Sequence, residues 1–123
     1  CVRDYIHVAD LAEAHLAALD ARVRLAKMAH EETGLGVWQD KVVKNLIATQ
    51  LVYDDIRNQR SVGVIRQEDC SGIVEVAQPV GPVLGFVPVT NPSSTTIFKI
   101  LIALKTRNPL IISPPQAARR TCA

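Results

Sequence analysis

Membrane-length apolar runs, basic clusters, cysteine pairs and glycine loops are all missing from this sequence of 123 residues. No apolar run reaches the ~18 residues of a membrane-crossing helix, and the opening Cys1-Val2-Arg3-Asp4 has no signal-peptide character. Fourteen Lys and Arg against twelve Asp and Glu leave a net charge of +2, without the runs of five or six that mark a nucleic-acid or membrane-surface patch. Neither partner is expected. The three cysteines, at 1, 70 and 122, come without C-x-x-C or paired histidines, so neither a disulfide framework nor a zinc site is encoded. A reducing, cytoplasmic setting is expected. Glycines stand only at 34, 36, 63, 72, 81 and 85, and neither G-x-G-x-x-G nor G-x-x-x-x-G-K-[ST] can be written over them. His30-Glu31-Glu32 would need His at position 34 to continue as a zinc-protease helix, and that residue is Gly34. His30 is therefore expected on the surface, and His7 and His15 are isolated. Cys70 follows Glu68 and Asp69, whose charges disfavour a thiolate.

What is present is globular: 48% apolar residues, 21% charged and a mean hydropathy of +0.14. Surface scaling gives about 6,500 Å² exposed for a self-contained fold of this mass, against about 19,000 Å² unfolded. The first residue is Cys1 in mid-pattern rather than Met, so a piece of a longer chain is expected.

Apolar positions Leu11, Ala14, Ala18, Leu25, Met28 and Ala29 recur at helical steps with a gap at Arg22, predicting a helix over 10–33, opened by an Asp10–Glu13 capping box and stopped by Gly34. Val42, Val43, Leu46, Ile47, Tyr53 and Ile56 predict the buried face of a second helix over 37–59. Beyond Arg60 the composition shifts. Between Cys70 and Phe98 only Glu75 is charged, which predicts buried sheet: strands at 62–65, 73–77 and 83–87, the first two as a hairpin, with a turn over 78–82. A polar loop over 88–94, a helix over 95–106 carrying Ile97, Ile100, Leu101 and Leu104, and a short buried strand over 109–112 make strand, helix, strand, for which parallel pairing is expected. Residues 116–123 begin a further helix.

One loop invites chemistry. Thr90-Asn91-Pro92-Ser93-Ser94-Thr95 lies between the carboxyl end of a strand and a helix N-terminus, where open α/β sheets bind ligands and free N–H groups favour negative charge. Asn91 can donate its amide N–H to a developing oxyanion, but on spacing alone a helix cap in an Asn-Pro turn is the favoured reading.

From about Ala17 onward the chain resembles the aldehyde dehydrogenase superfamily, in particular its CoA-acylating members. The resemblance rests on 21–29 (Ala-Arg-Val-Arg-Leu-Ala-Lys-Met-Ala), Glu32-Thr33-Gly34, Asp40-Lys41-Val42-Val43-Lys44-Asn45, Pro79-Val80-Gly81-Pro82, Val87-Pro88-Val89-Thr90-Asn91-Pro92-Ser93-Ser94, Leu104-Lys105-Thr106-Arg107-Asn108-Pro109 and Ser113-Pro114. It implies an α/β fold in which two N-terminal helices and a β-hairpin precede the first βαβ unit of an incomplete Rossmann-like domain over 17–123. It further implies that Phe86, Val87, Pro88, Val89 and Thr90 lie against NAD, that Ser113 meets the adenosine ribose, and that Asn91 holds the oxyanion of a thiohemiacetal. The implied reaction joins an aldehyde, CoA and NAD to give acyl-CoA and NADH, with the cysteine nucleophile beyond Ala123, so that this chain alone would be inactive. Thr90-Asn91-Pro92 and Ser113-Pro114 match the acylating branch, where the hydrolytic branch has Trp-Asn-Phe-Pro and Lys-Pro.

Residues 1–15, in the stretch Val2-Arg3-Asp4-Tyr5-Ile6-His7-Val8-Ala9-Asp10, resemble instead a segment of UDP-glucose 4-epimerase. That resemblance implies a diphosphate contact for Arg3, but the catalytic Tyr-x-x-x-Lys is missing and epimerase chemistry is excluded. A chimeric junction is expected between His15 and Ala21, dividing the chain into 1–16 and 17–123, with residues 1–9 poorly packed. The alternative to the enzyme reading is a non-catalytic helix and sheet interaction module, which an aromatic content of 4% supports little. Association through an open sheet edge is also expected.

Overall fold

The structure, a computed structural model, describes residues 8–123; the expectations for residues 1–7, Arg3, Tyr5 and His7 among them, lie outside the described residues. Helix α1 spans Val8–Thr33. Asp10 already lies within this helix, so the expected Asp10–Glu13 capping box does not open it. The predicted stop holds: Gly34 takes φ +66° and its N–H donates to the His30 carbonyl at 2.8 Å, the left-handed termination that lacks a Cβ penalty. The expected junction at 15–21 falls within this one continuous helix. His15 is buried and stacks on Tyr53, ring centroids 4.2 Å apart, while His30 is half-buried rather than on the surface.

The second helix is interrupted. Helix α2 covers Trp38–Leu46, a π turn covers Ile47–Leu51, and α3 covers Val52–Ile56. The Thr49 hydroxyl donates to the carbonyls of Asn45 (2.9 Å) and Leu46 (3.1 Å), competing with the backbone for helix acceptors. The predicted face is also wrong in part. Val43, Leu46 and Ile47 are exposed, while Lys41, Asn45, Ala48, Thr49 and Ile56 are buried. Polar partners from other elements decide which side turns inward, and apolar periodicity does not register them.

Strands β1 (Gly63–Glu68) and β2 (Ile73–Ala77) pair antiparallel as predicted, with a bulge between Val64 and Arg66. They are not buried: Val64, Ile65, Ile73, Val74 and Val76 are all exposed, because a two-stranded ribbon has no second layer of its own. Strands β3 (Val83–Phe86) and β4 (Leu110–Ser113) pair parallel, joined through helix α4 (Pro92–Thr106). This gives the expected α/β order of helices, hairpin and βαβ unit. β4 is only partly buried, with Ile111 exposed. Helix α4 begins three residues earlier than predicted, since Pro92 at its first position already holds a helical φ. Ile97 and Leu101 of α4 are buried as predicted, Leu104 is half-buried, and Ile100, at the edge of the same side, is exposed.

The core is helical. Leu11, Ala48, Ile56, Ile97 and Leu101 from α1, the π-interrupted helix and α4 meet in one cluster. Helix α4 lies close on β3 at Gly85, where a Cβ would stand 3.0 Å from Lys99 Cδ. After α4, Asn108 Oδ1 accepts from the N–H groups of Val80 (2.8 Å) and Gly81 (3.1 Å), fixing the connection into β3. A 3₁₀ turn (Gln116–Ala118) and the short α5 (Arg119–Cys122) close the chain against α1.

Candidate functional site

In register, β3 and β4 bring Phe86 beside Ser113, and the Val87 N–H donates to the Ser113 carbonyl at 3.1 Å. Two parallel strands thus end side by side, and the chain turns from β3 through 87–91 into α4. Asn91 stands at the helix cap position with φ −137° and ψ 59°, yet its side chain makes no capping bond. Its Oδ1 accepts from Lys44 Nζ at 2.9 Å, and its Nδ2 reaches only the Thr90 hydroxyl, at a long 3.4 Å. An amide carries two N–H donors, so one is left for a ligand among the described residues.

Helix α2 holds this corner from the side. Lys41 Nζ donates to the Thr90 carbonyl at 3.0 Å. Asn45, fully buried, donates to the Arg22 carbonyl at 2.9 Å and accepts from the Ser93 hydroxyl at 2.8 Å. Arg22, the gap in the apolar stripe of α1, is where Asn45 docks. Burial, reinforced by the neighbouring Lys44 charge, pushes the Lys41 ammonium below its ordinary value of 10.5. A cleft of about 320 Å³ opens beside the corner, walled by Ile47, Ala48, Val52 and Phe98, with Lys44 and Asn91 also on its lining. Among the described residues no carboxylate lines it. A cation, a free amide N–H and the open N–H groups of a helix start suit a developing negative charge on a group with an apolar tail.

Of the residues singled out from sequence, Phe86 (70% exposed) and Pro88 present an apolar surface, Thr90 is exposed, and Val89 and Ser113 are half-buried. Val87 is buried and offers only its backbone. An exposed aromatic ring and a proline beside a hydroxyl, at the carboxyl ends of parallel strands, fit a flat ring and a ribose such as NAD carries. Cys70 and Cys122 do not join this cleft: Cys70 is exposed at the hairpin tip, and Cys122 Sγ lies 3.6 Å from the Thr96 hydroxyl. Lys41, Lys44, Asn45 and Ser93 belong to stretches that carried the resemblance, but sequence reasoning gave them no role. The signal available was a polar stripe at 41, 45 and 49, four residues apart.

Parallel strands joined by a helix, with a polar corner at their carboxyl ends, place the chain among α/β proteins. Comparison with known proteins narrows this. Over 106 residues it is 48% identical to the bifunctional aldehyde-alcohol dehydrogenase of Escherichia coli, covering 86% of this chain and 12% of that protein. It is 43% identical over 100 residues to the acylating sulfoacetaldehyde dehydrogenase of Cupriavidus necator, covering 81% of this chain and 20% of the relative. The crystal structure of an acetylating aldehyde dehydrogenase from Geobacillus thermoglucosidasius superposes with a TM-score of 0.89 at 46% identity, over 92% of this chain and 25% of that one. No family model matches. The relatives are aldehyde dehydrogenases with acylating members among them, and the chain spans about an eighth of the bifunctional ones. They favour the enzyme reading over an interaction module and lend no support to the epimerase-like reading of residues 1–15.

Proposed function

We propose that residues 17–123 form the cofactor-loop and oxyanion corner of an NAD-dependent, CoA-acylating aldehyde dehydrogenase, the first part of its cofactor-binding domain. The observation that carries this is the Asn91 amide, pinned at Oδ1 by Lys44 with an N–H left over at the cleft. In the proposed reaction a cysteine thiolate outside this chain adds to the aldehyde carbonyl. Asn91 Nδ2–H donates to the oxygen as it becomes an oxyanion, and the apolar wall of the cleft holds the aldehyde's carbon tail. Phe86, Val87, Pro88, Val89, Thr90 and Ser113 would hold NAD, which when bound supplies the hydride acceptor. Once the adduct has been oxidised to a cysteine thioester, the CoA thiol would take the acyl group and the cysteine sulfur would be the leaving group. Residues 17–123 replacing the matched segment of the Escherichia coli relative give the test. The graft is expected to oxidise aldehyde in a CoA- and NAD-dependent way, and Asn91→Ala to lower its turnover roughly a hundredfold, about 2.7 kcal/mol for one oxyanion donor. Because Asn91 makes no capping bond, the melting temperature should move little. Unchanged turnover in a folded Asn91→Ala graft would refute the assignment.

A further inference from the structure

Three contacts tie α2 to the start of α4 in step along the chain: Lys41 to the Thr90 carbonyl, Lys44 to Asn91 Oδ1, and Asn45 to the Ser93 hydroxyl. The outer two go to a backbone carbonyl and to a structural hydroxyl. The middle one ends on the single side chain proposed to meet the reacting oxygen. We infer that Lys44 is a positioning residue, which selects the orientation of the Asn91 amide and thereby makes it an oxyanion donor. This deepens the aldehyde dehydrogenase reading and, for its catalytic consequence, rests on it.

The physical basis is the asymmetry between the two partners. An amide has one accepting and one donating end, and a half-turn about its last bond exchanges them. With the donor end toward the cleft Asn91 stabilises a developing oxyanion; with the oxygen there it repels one. An ammonium has three donors and no acceptor, so beside Lys44 Nζ only Oδ1 is tolerated and the NH₂ is turned away from it. The Thr90 hydroxyl, which both donates and accepts, cannot make that choice, and at 3.4 Å it holds Nδ2 weakly. The charge also draws electron density toward Oδ1, leaving Nδ2–H a stronger donor.

Lys44 itself is aimed by its neighbour. The Asn45 side chain is fully buried and bonded on both ends, to the Arg22 carbonyl of α1 and the Ser93 hydroxyl of α4. This fixes the rotation of α2 about its axis, so Lys44, though itself exposed, leaves the helix beside the corner. Preorganisation of the amide before any ligand arrives is what gives an oxyanion donor its effect.

Two measurements test the inference. In the ¹⁵N-labelled chain, the Asn91 side-chain amide pair is identified by its loss in Asn91→Ala. It should shift and broaden in Lys44→Met, and stay near its original position in Lys44→Arg, which keeps a cationic donor. In the graft, Lys44→Met should lower kcat roughly tenfold, less than outright loss of the donor, with KM for the aldehyde within about twofold, and Lys44→Arg should recover most of it. On an Asn91→Ala background, Lys44→Met should cost nothing further, since its effect runs through the amide. An unmoved amide pair, or an equal loss of kcat with and without Asn91, would overturn the inference and leave Lys44 as a mere link between helices. If Asn91→Ala alone leaves turnover intact, the proposed function fails and takes the catalytic role of Lys44 with it; the amide resonances still report separately whether Lys44 sets the orientation.

Discussion

Among single residues, Asn45 has the strongest structural claim. Its amide joins α1 to α4 from within α2, with no exposed surface, so truncation leaves the half-buried Arg22 carbonyl and the buried Ser93 hydroxyl without that partner. Asn45→Ala should therefore destabilise the chain by about 2 kcal/mol, read as a lower denaturant midpoint at unchanged slope. A loss below about 0.5 kcal/mol would place water in the gap. The place of Asn91 between strand and helix was legible, although spacing alone favoured a cap there over an oxyanion donor. The contacts that hold this corner were not legible, because Lys41, Lys44 and Asn45 meet Thr90, Asn91 and Ser93, 47 to 49 positions away, and nothing local in a helical pattern announces such a bond.

At the scale of elements, the βαβ order and the hairpin could be read from composition and turn residues, while burial could not. The apolar run of 62–77 forms strands as expected but stands uncovered. Hydropathy reports an affinity for burial and says nothing of what is available to cover it. The junction between α1 and α5 yields a pH prediction. Glu32 accepts from the N–H groups of Arg120 (2.8 Å) and Thr121 (2.9 Å) and from the Thr121 hydroxyl (2.7 Å). Partial burial opposes ionisation, but these bonds and the Arg120 charge outweigh it and hold the carboxyl below its ordinary 4.5. A carboxylate whose value is lowered in the folded state contributes stability that is full above the unfolded value and is lost as pH falls through the folded one. Wild type should thus melt above Glu32→Gln at pH 7, and the gap should close as the pH drops below about 4.5. A gap that is constant from pH 7 to 3 would show that shape, not charge, matters there.

For the molecule as a whole, the accessible surface is 8135 Å², about a quarter more than the ~6,500 Å² expected for a self-contained fold of this mass. The surplus goes with exposed apolar residues on both pairs of strands, Ile73, Val76, Leu84 and Phe86 among them. Among the described residues each sheet has two strands, so each leaves backbone groups open along its outer edges there. The chain in isolation should therefore associate. Light scattering behind size exclusion at two concentrations should give an apparent mass that rises with concentration; a monomer at both, with one sharp thermal transition, would count against it.

The π turn over Ile47–Leu51 also governs which insertions and deletions this chain can tolerate. A π turn takes one more residue to complete than an α turn, so removing Gln50 would restore a regular spiral of nearly the same length with its two halves still in phase. Lys44 would stay beside Asn91, and Val52 and Ile56 would stay turned to the core. The π turn is therefore the place where this helix can lose a residue, whereas a deletion in the regular helix on either side would turn one half by about 100° against the other.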